Sequence, residues 1–150
     1  MEWQWSKFGE LSRSEIYEAM VLRQRVFVVE QNCAYLDADG WDYEAWHLFY
    51  WRTCGDKRRL EAYMRVLSPG VKFREPAISR VIVAPEARRQ GMGKILLNEG
   101  IRRTLSEFGQ TVGIRISAQA YLERFYTEAG FKTVSEPYQE DGIPHVEMLF

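Results

Sequence analysis

Along the chain the apolar positions change period several times, and the changes mark out the elements. "MEWQWSKF" alternates apolar and polar residues and predicts a short strand. Ser12 stands three residues before Glu15, the spacing of a capping box. Ile16, Met20 and Val26–Phe27 then share one face of a helix running toward Val29. "HLFYWRTC" and "LEAYMRVL" are strand-like runs joined through "GDKRR", a hairpin signal. In the second run Leu60, Ala62, Met64 and Val66 alternate onto one face, with Glu61, Tyr63 and Arg65 on the other. "AISRVIVA" predicts a further strand, stopped by Pro85. From Gly91 the period becomes helical: Leu97, Ile101, Leu105 and Phe108 form one stripe, Glu99 and Arg103 make an i, i+4 pair, and Gly109 is placed as a stop. "TVGIRISA" predicts a buried strand through Val112, Ile114 and Ile116. "QAYLERFYTEA" predicts a helix ended by Gly130, and "FKTV" and "IPHVEMLF" predict two closing strands. The order β-α-β-β-β-α-β-α-β-β is that of an α/β chain built around one mixed sheet.

One segment has no period. "EQNCAYLDADGWDYEAW", Glu30 to Trp46, carries five acidic residues and is long for a connector, so a functional loop is expected there. The 150 residues are the size of one domain, taken as 1–150. A net charge of -1 with 27% charged residues offers no field for nucleic acid or an anionic membrane. The N-terminus lacks a basic and then apolar leader pattern, and no run approaches membrane-spanning length, so a cytoplasmic protein is expected. Cys33 and Cys54 have neither metal-ligand spacing nor a disulfide framework, and His47 and His145 form no i, i+3 or i, i+4 pair; no metal is expected. A homodimer is compatible with these features.

The stretch with the clearest chemistry is "SRVIVAPEARRQGMGKILLNEG", where a strand hands over to a helix through a glycine-containing turn. Such a junction leaves backbone N–H groups available to an anion at the positive end of a helix dipole. A P-loop ending at Gly93-Lys94 would need Gly at 88 and Ser or Thr at 95, where Arg88 and Ile95 stand. A dinucleotide fingerprint from Gly91 would need Gly or Ala at 96, where Leu96 stands. What remains is Arg-x-x-Gly-x-Gly, Arg88 to Gly93. Gly91 and Gly93 admit close approach and positive φ, and the N–H groups of residues 89 to 94, Gln90 and Met92 among them, can turn inward. Arg88, Arg89 and Lys94 add charge, while Arg102 and Arg103 read as a solvated helix face. A bland glycine-rich turn would be spelled the same way.

The context narrows that choice. "VIVAPEARRQGMG" (Val81 to Gly93) and "FYTEAGF" (Phe125 to Phe131), with a strand between them, make the chain resemble the GNAT superfamily of acyl-CoA-dependent N-acyltransferases. "RQRVFVVEQNCAYLDADGWD", "HLFYW", "AQAYLERFYTEAGF" and "EDGIPHVEM" extend the resemblance, over almost the whole chain, to the ElaA-like family. The resemblance implies an α/β fold with a central mixed sheet of about seven strands, splayed between the fourth and fifth, and acetyl-CoA lying in the gap. Main-chain groups of Val81, Ile82 and Val83 would meet the pantetheine, and Arg88 to Lys94 the pyrophosphate. Gln119 stands where many members carry the shorter Asn that contacts the pantetheine region. Tyr126 would place its hydroxyl beside the thioester.

Acyl transfer to an amine has three needs. An alkyl ammonium of pKa ~10.4 must lose a proton to expose its lone pair. The oxyanion needs a donor, such as an N–H near Val81 to Val83. The leaving thiolate benefits from a proton, for which the Tyr126 phenol is the candidate. Candidate bases are Glu30 first, then His47, whose ordinary pKa of ~6.5 suits the task, with His145 a third. Cys33 needs no role beyond packing. Asp37, Asp39, Asp42 and Glu44, with Trp41, Tyr43 and Trp46, would suit a cationic amine; a solvated acidic loop fits the same letters. The expected activity is acetyl transfer from acetyl-CoA to a primary amine of a small molecule or peptide by direct attack. A domain that binds or senses acyl-CoA without turnover, or one that uses a longer acyl-CoA, is the alternative.

Overall fold

The computed structural model describes residues 2–150. The alternating N-terminal run forms β1 (Glu2–Lys7), and α1 (Arg13–Arg23) follows its capping residue. The capping box closes both ways: Glu15 N–H donates to Ser12 Oγ at 3.3 Å, and Ser12 N–H donates to the Glu15 carboxylate at 2.8 Å. The helix then widens into a π-helical segment (Gln24–Glu30), which a 3.6-residue period does not reveal. Next come β2 (Ala45–Cys54), β3 (Lys57–Leu67), β4 (Ala77–Val83), α2 (Met92–Phe108), β5 (Arg115–Gln119) and α3 (Glu123–Glu128). The chain closes with β6 (Lys132–Thr133), β7 (Tyr138–Glu140) and β8 (Ile143–Leu149). The sheet thus has eight strands where about seven were expected. The additional strand, β7, is three residues long, too short for periodicity to register. β5 also starts later than expected, because Gly113 turns the chain at φ 72° and leaves Val112 outside the strand.

The strands run in the order β1-β2-β3-β4-β5-β8-β6, with β7 on β8. All pairings are antiparallel except β4–β5, which is parallel and short: only Ala77↔Arg115 and Ile78↔Ile116 are in register. Beyond Ile78 the two strands part. A bulge coincides with the parting, since Arg65 faces Ser79 while Tyr63 faces Ile82, and Arg80 sits at φ 55° between them. A bulge bends its strand and shifts the alternation by one. Accordingly Ile78 buries on the α2 side of the sheet and Ile82 on the α1 side.

The α2 side holds Leu48, Met64, Val66, Leu96, Leu97 and Ile101, with α3 contributing Tyr126; Leu22, Phe49, Trp51 and Tyr63 lie on the α1 side. Leu60 joins Tyr63 rather than Met64, because a second bulge opposite Tyr50 and Trp51 shifts its face. Glu61 and Arg65 are buried although charged, each held by ion pairs. Gly100 sets the approach of α2 to β3. A Cβ added there would stand 2.2 Å from Met64 Sδ.

Candidate active site

Where β4 and β5 part, a cleft of about 530 Å³ opens, lined by Val81, Ile82 and Val83 on one side and Ser117 and Gln119 on the other. The direction of the β4 main chain follows from its far neighbour. Ala84 N–H donates to the Glu61 carbonyl of β3 at 2.7 Å. Peptide groups alternate along a strand, so those of Val83 and Val81 face away from β3, toward the cleft. The Val83 carbonyl accepts from Arg88 Nε at 3.1 Å.

After a single turn at Pro85–Ala87 the loop alternates in hand. Arg89 has φ 65° and Gly91, the residue capping α2, has φ 74°. Alternating right- and left-handed residues shape an anion-binding concavity, and no side chain caps this helix end. Positive φ therefore falls on Arg89 and Gly91, not on Gly93. Gly93 lies in the first turn of α2, where a Cβ would rest 3.7 Å from the Phe125 ring. Met92 is a core side chain, so only its main chain can serve a ligand. Arg89, Gln90 and Lys94 are exposed, while Arg88 lines the cleft and pairs with Glu30 at 2.8 Å.

Tyr126 is 5% exposed and lines the same cleft. Its position is explained by the way α3 ends. Phe131 N–H donates to the Tyr126 carbonyl at 3.1 Å, and Gly130 N–H to the Thr127 carbonyl at 3.0 Å. These are the two bonds of a Schellman motif, with Gly130 at φ 106° as its left-handed residue. The accompanying apolar contact is between Phe131 and Tyr126, whose ring centroids are 5.9 Å apart. The spacing Tyr-x-x-x-Gly-Phe is thus a helix stop that anchors its own tyrosine. Burial pushes the phenol above its ordinary pKa, so it is a protonated donor at neutral pH.

The base candidates separate. Glu30 lines the cleft. His47 is buried and does not line it. Its Nε2–H donates to the Asp42 carbonyl at 3.0 Å, and its Nδ1 accepts from the Tyr63 hydroxyl at 2.7 Å, so no lone pair is left for an amine. Burial, then the nearby Arg23 and Arg65, push its pKa down. His47 as a base is therefore corrected to a structural residue. His145 lines the cleft. Gln119 does so too, its amide exchanging two hydrogen bonds with Gln31, at 3.1 and 3.3 Å.

The acidic loop also needs correction. Asp37 and Asp42 accept from the fully buried Arg23 at 2.7 and 2.6 Å, and Asp39 takes a two-pronged pair from Arg65 at 2.7 and 2.9 Å. Arg80, turned out of its strand by the bulge, reaches Asp37 at 2.7 Å. Three carboxylates and three guanidiniums balance, so these aspartates hold the loop instead of facing an amine. Burial opposes the charge on Asp39, yet Arg65 and Arg80 hold its pKa down at about 2. Of these aspartates only Asp39 lines the cleft, its carboxylate already held by Arg65; Trp41 lines it too, with Glu140 and Asp141 of the β7–β8 hairpin. Gln31, Arg80 and Glu140 had not been singled out from sequence. A lone arginine interrupting the alternation of "AISRVIVA" is the available signal for the bulge. Among the described residues no group of three His, Cys, Asp or Glu is arranged to hold a metal ion, and no helix is long and apolar enough to cross a membrane.

Residues 67–150 match the family model of an acetyltransferase (GNAT) domain. Over the whole chain, UPF0039 protein sll0451 of Synechocystis sp. is 41% identical, with 95% of its own length covered. Among solved structures, an acyl-CoA N-acyltransferase from Pseudomonas aeruginosa superposes with a TM-score of 0.90 at 35% identity, covering 99% of both chains. Escherichia coli ElaA follows at 0.88 and 37%, covering 99% of this chain and 97% of its own. A more distant fold match, an aminoglycoside 6'-N-acetyltransferase complexed with coenzyme A, has a TM-score of 0.68 at 14% identity, covering 98% of this chain and 96% of its own.

Proposed function

Because the chain belongs to the GNAT acetyltransferase family, we propose that it moves acetyl from acetyl-CoA to a primary amine of a small molecule or peptide, acting as one domain by direct nucleophilic attack. The observation that carries this reading is the parting of β4 and β5, which puts inward-facing peptide groups of Val81 and Val83 and the buried phenol of Tyr126 on one cleft. Pantetheine amides would extend β4 as an added strand. The pyrophosphate would sit on the N–H groups between Arg89 and Lys94, with Arg88 and Arg89 supplying charge. An N–H of the Val81–Val83 segment would meet the oxyanion, and Tyr126 would protonate the departing sulfur. Glu140 and Asp141 beside Trp41 suit a cationic acceptor. Of the cleft-lining groups able to take the amine's proton, Glu30 and His145 are the two that the sequence offers as bases, and the carboxylates of Asp39, Glu140 and Asp141 line the cleft beside them.

Thiol release from acetyl-CoA, screened against polyamines, amino sugars, amino acids and peptide N-termini, tests the reaction. Tyr126→Phe is expected to lower kcat ~100-fold or more with the acetyl-CoA Kd within about twofold, since the phenol acts only as sulfur gains charge. An unchanged kcat in an assay limited by chemistry removes Tyr126 as the acid.

A further inference from the structure

Of the cleft-lining groups able to deprotonate the acceptor, the geometry points to His145 as the base, with Glu30 committed to the cofactor loop and Asp39 to Arg65. This assignment rests on the acyl-transfer reading. His145 lies on β8 in register with Gln119 of β5, at the end where β5 has left β4. Its neighbour Val146 buries into the α2-side core, so the imidazole projects from the opposite face of the sheet, where it lines the cleft. Tyr126 reaches that cleft from the α2 side. Acid and base thus enter the cleft from opposite faces of the sheet.

The proton on the ring is placed by a single bond. His145 Nδ1 is 2.7 Å from the Ile143 carbonyl, which can only accept, so Nδ1 carries the hydrogen and Nε2 keeps its lone pair. His47 shows the reverse arrangement, with its one lone pair consumed by Tyr63. Nε2 of His145 stands 4.0 Å from Glu140 Oε2. That is too far for a hydrogen bond to occupy the lone pair, and near enough for the carboxylate to face the charge the ring acquires. The Tyr138 ring lies against the imidazole with centroids 6.1 Å apart. Glu30, by contrast, accepts from Arg88 at 2.8 Å, and the same guanidinium donates to the Val83 carbonyl. Glu30 therefore holds the first arginine of the loop against β4.

In the step assigned to it, His145 Nε2 takes one proton from the ammonium. The freed lone pair forms the C–N bond, and the carbonyl π pair moves onto oxygen. Collapse breaks C–S, sulfur keeps the electron pair and takes the Tyr126 proton, and the second nitrogen proton restores the phenol. His145 then releases its proton to solvent, one per acetyl transferred. Against the ring stand Glu140 and Tyr138 of β7, and Glu147 lies two residues along β8, where Arg115 holds it at 2.6 Å; Asp141 at the hairpin tip, Cys33, Tyr121 and Glu30 line the same cleft.

The test uses the full chain with an amine that supports thiol release. H145N keeps a donor for the Ile143 carbonyl and removes the base; H145Q is the second variant. Each is expected to lower kcat/KM at pH 7 by ~100-fold or more, with the acetyl-CoA Kd within about twofold. The deficit should shrink about tenfold per pH unit toward the amine's own pKa of ~10.4, because free amine then forms unaided. A merely structural role would leave the deficit constant with pH. Either variant, folded and retaining a third of wild-type activity at pH 7, overturns the assignment, and E30Q showing the pH-dependent deficit instead transfers the role to Glu30. A wild type that releases no thiol with any amine overturns the acyl-transfer reading itself, and His145 as base falls with it.

Discussion

Arg23 is wholly buried and is balanced only by residues of the loop that follows the π-helical segment. Removing one partner of a buried ion pair leaves the other charge desolvated and alone, at about 3–5 kcal/mol. Arg23→Met should therefore destabilise the protein by about that amount, measured by urea unfolding, and open residues 31–44 to proteolysis. The same network sets the response to acid. The folded chain keeps His47 neutral by burying it, while the unfolded chain protonates it below about pH 6.5. Stability should thus begin to fall on that side of neutrality. Asp39 and Asp42 are held below their unfolded values, so their contribution is complete above about pH 5. It declines from about pH 4 as the unfolded chain takes up protons, and for Asp39 it is gone below about 2. His47→Gln should abolish the first decline and leave the second, checked by unfolding free energies from pH 8 to 3. None of this was legible in the letters of the acidic loop. Its counter-charges lie 14 to 43 positions away, and sequence shows the carboxylates without the arginines that neutralise them.

At the scale of elements, the parts read correctly from sequence are those whose rules are local. The Ser12 capping box, the Glu99–Arg103 pair and the glycine stops of α2 and α3 each depend on neighbours within five residues. The bulge in β4 depends on strands distant in sequence, and it is what turns Arg80 out of line. β7 had a local signal that hydropathy obscured: Asp141 and Gly142, at φ 51° and 75°, form a two-residue turn of the type that Asp-Gly favours. On the proposed function, the glycine positions would carry function as well as shape. Gly130→Ala places a Cβ at φ 106°, 3.0 Å from the Phe150 ring. The change should cost about 1–3 kcal/mol and, by loosening the motif that anchors Tyr126, lower kcat more than acetyl-CoA affinity. A Cβ at Gly91 meets no protein atom within 4 Å, but Gly91→Val cannot hold φ 74° without strain. It should leave the thermal midpoint within a few degrees while acetyl-CoA binding, followed by calorimetry, is lost. Retained affinity would remove the loop as the phosphate cradle.

For the molecule as a whole, the consequence of the fold is a sheet joined across its middle by two residue pairs. On one side β2 to β4 pack against α1, with β1 paired to β2, and on the other α3 packs on β5 and β6, with β7 paired to β8; α2 packs under β3 and β4. A ligand between β4 and β5 would add strand-like contacts where only those two pairs hold the sheet together. At ~100 times its Kd such a ligand stabilises by roughly 2.7 kcal/mol, so acetyl-CoA should raise the thermal midpoint measurably. Comparison with longer acyl-CoAs at matched saturation addresses the acyl preference. The location of the effect is the sharper measurement. Amides that exchange only on global unfolding slow wherever a ligand binds, but those that exchange by local opening slow only near it. Acetyl-CoA should therefore protect the locally opening amides of Val81, Val83 and residues 89–94, and leave those of β1 and the β2–β3 turn unchanged. Protection of the β2–β3 turn with none at Val81 or Val83 would place the cofactor outside the parted strands, and the roles of Tyr126 and His145 would lose their common site.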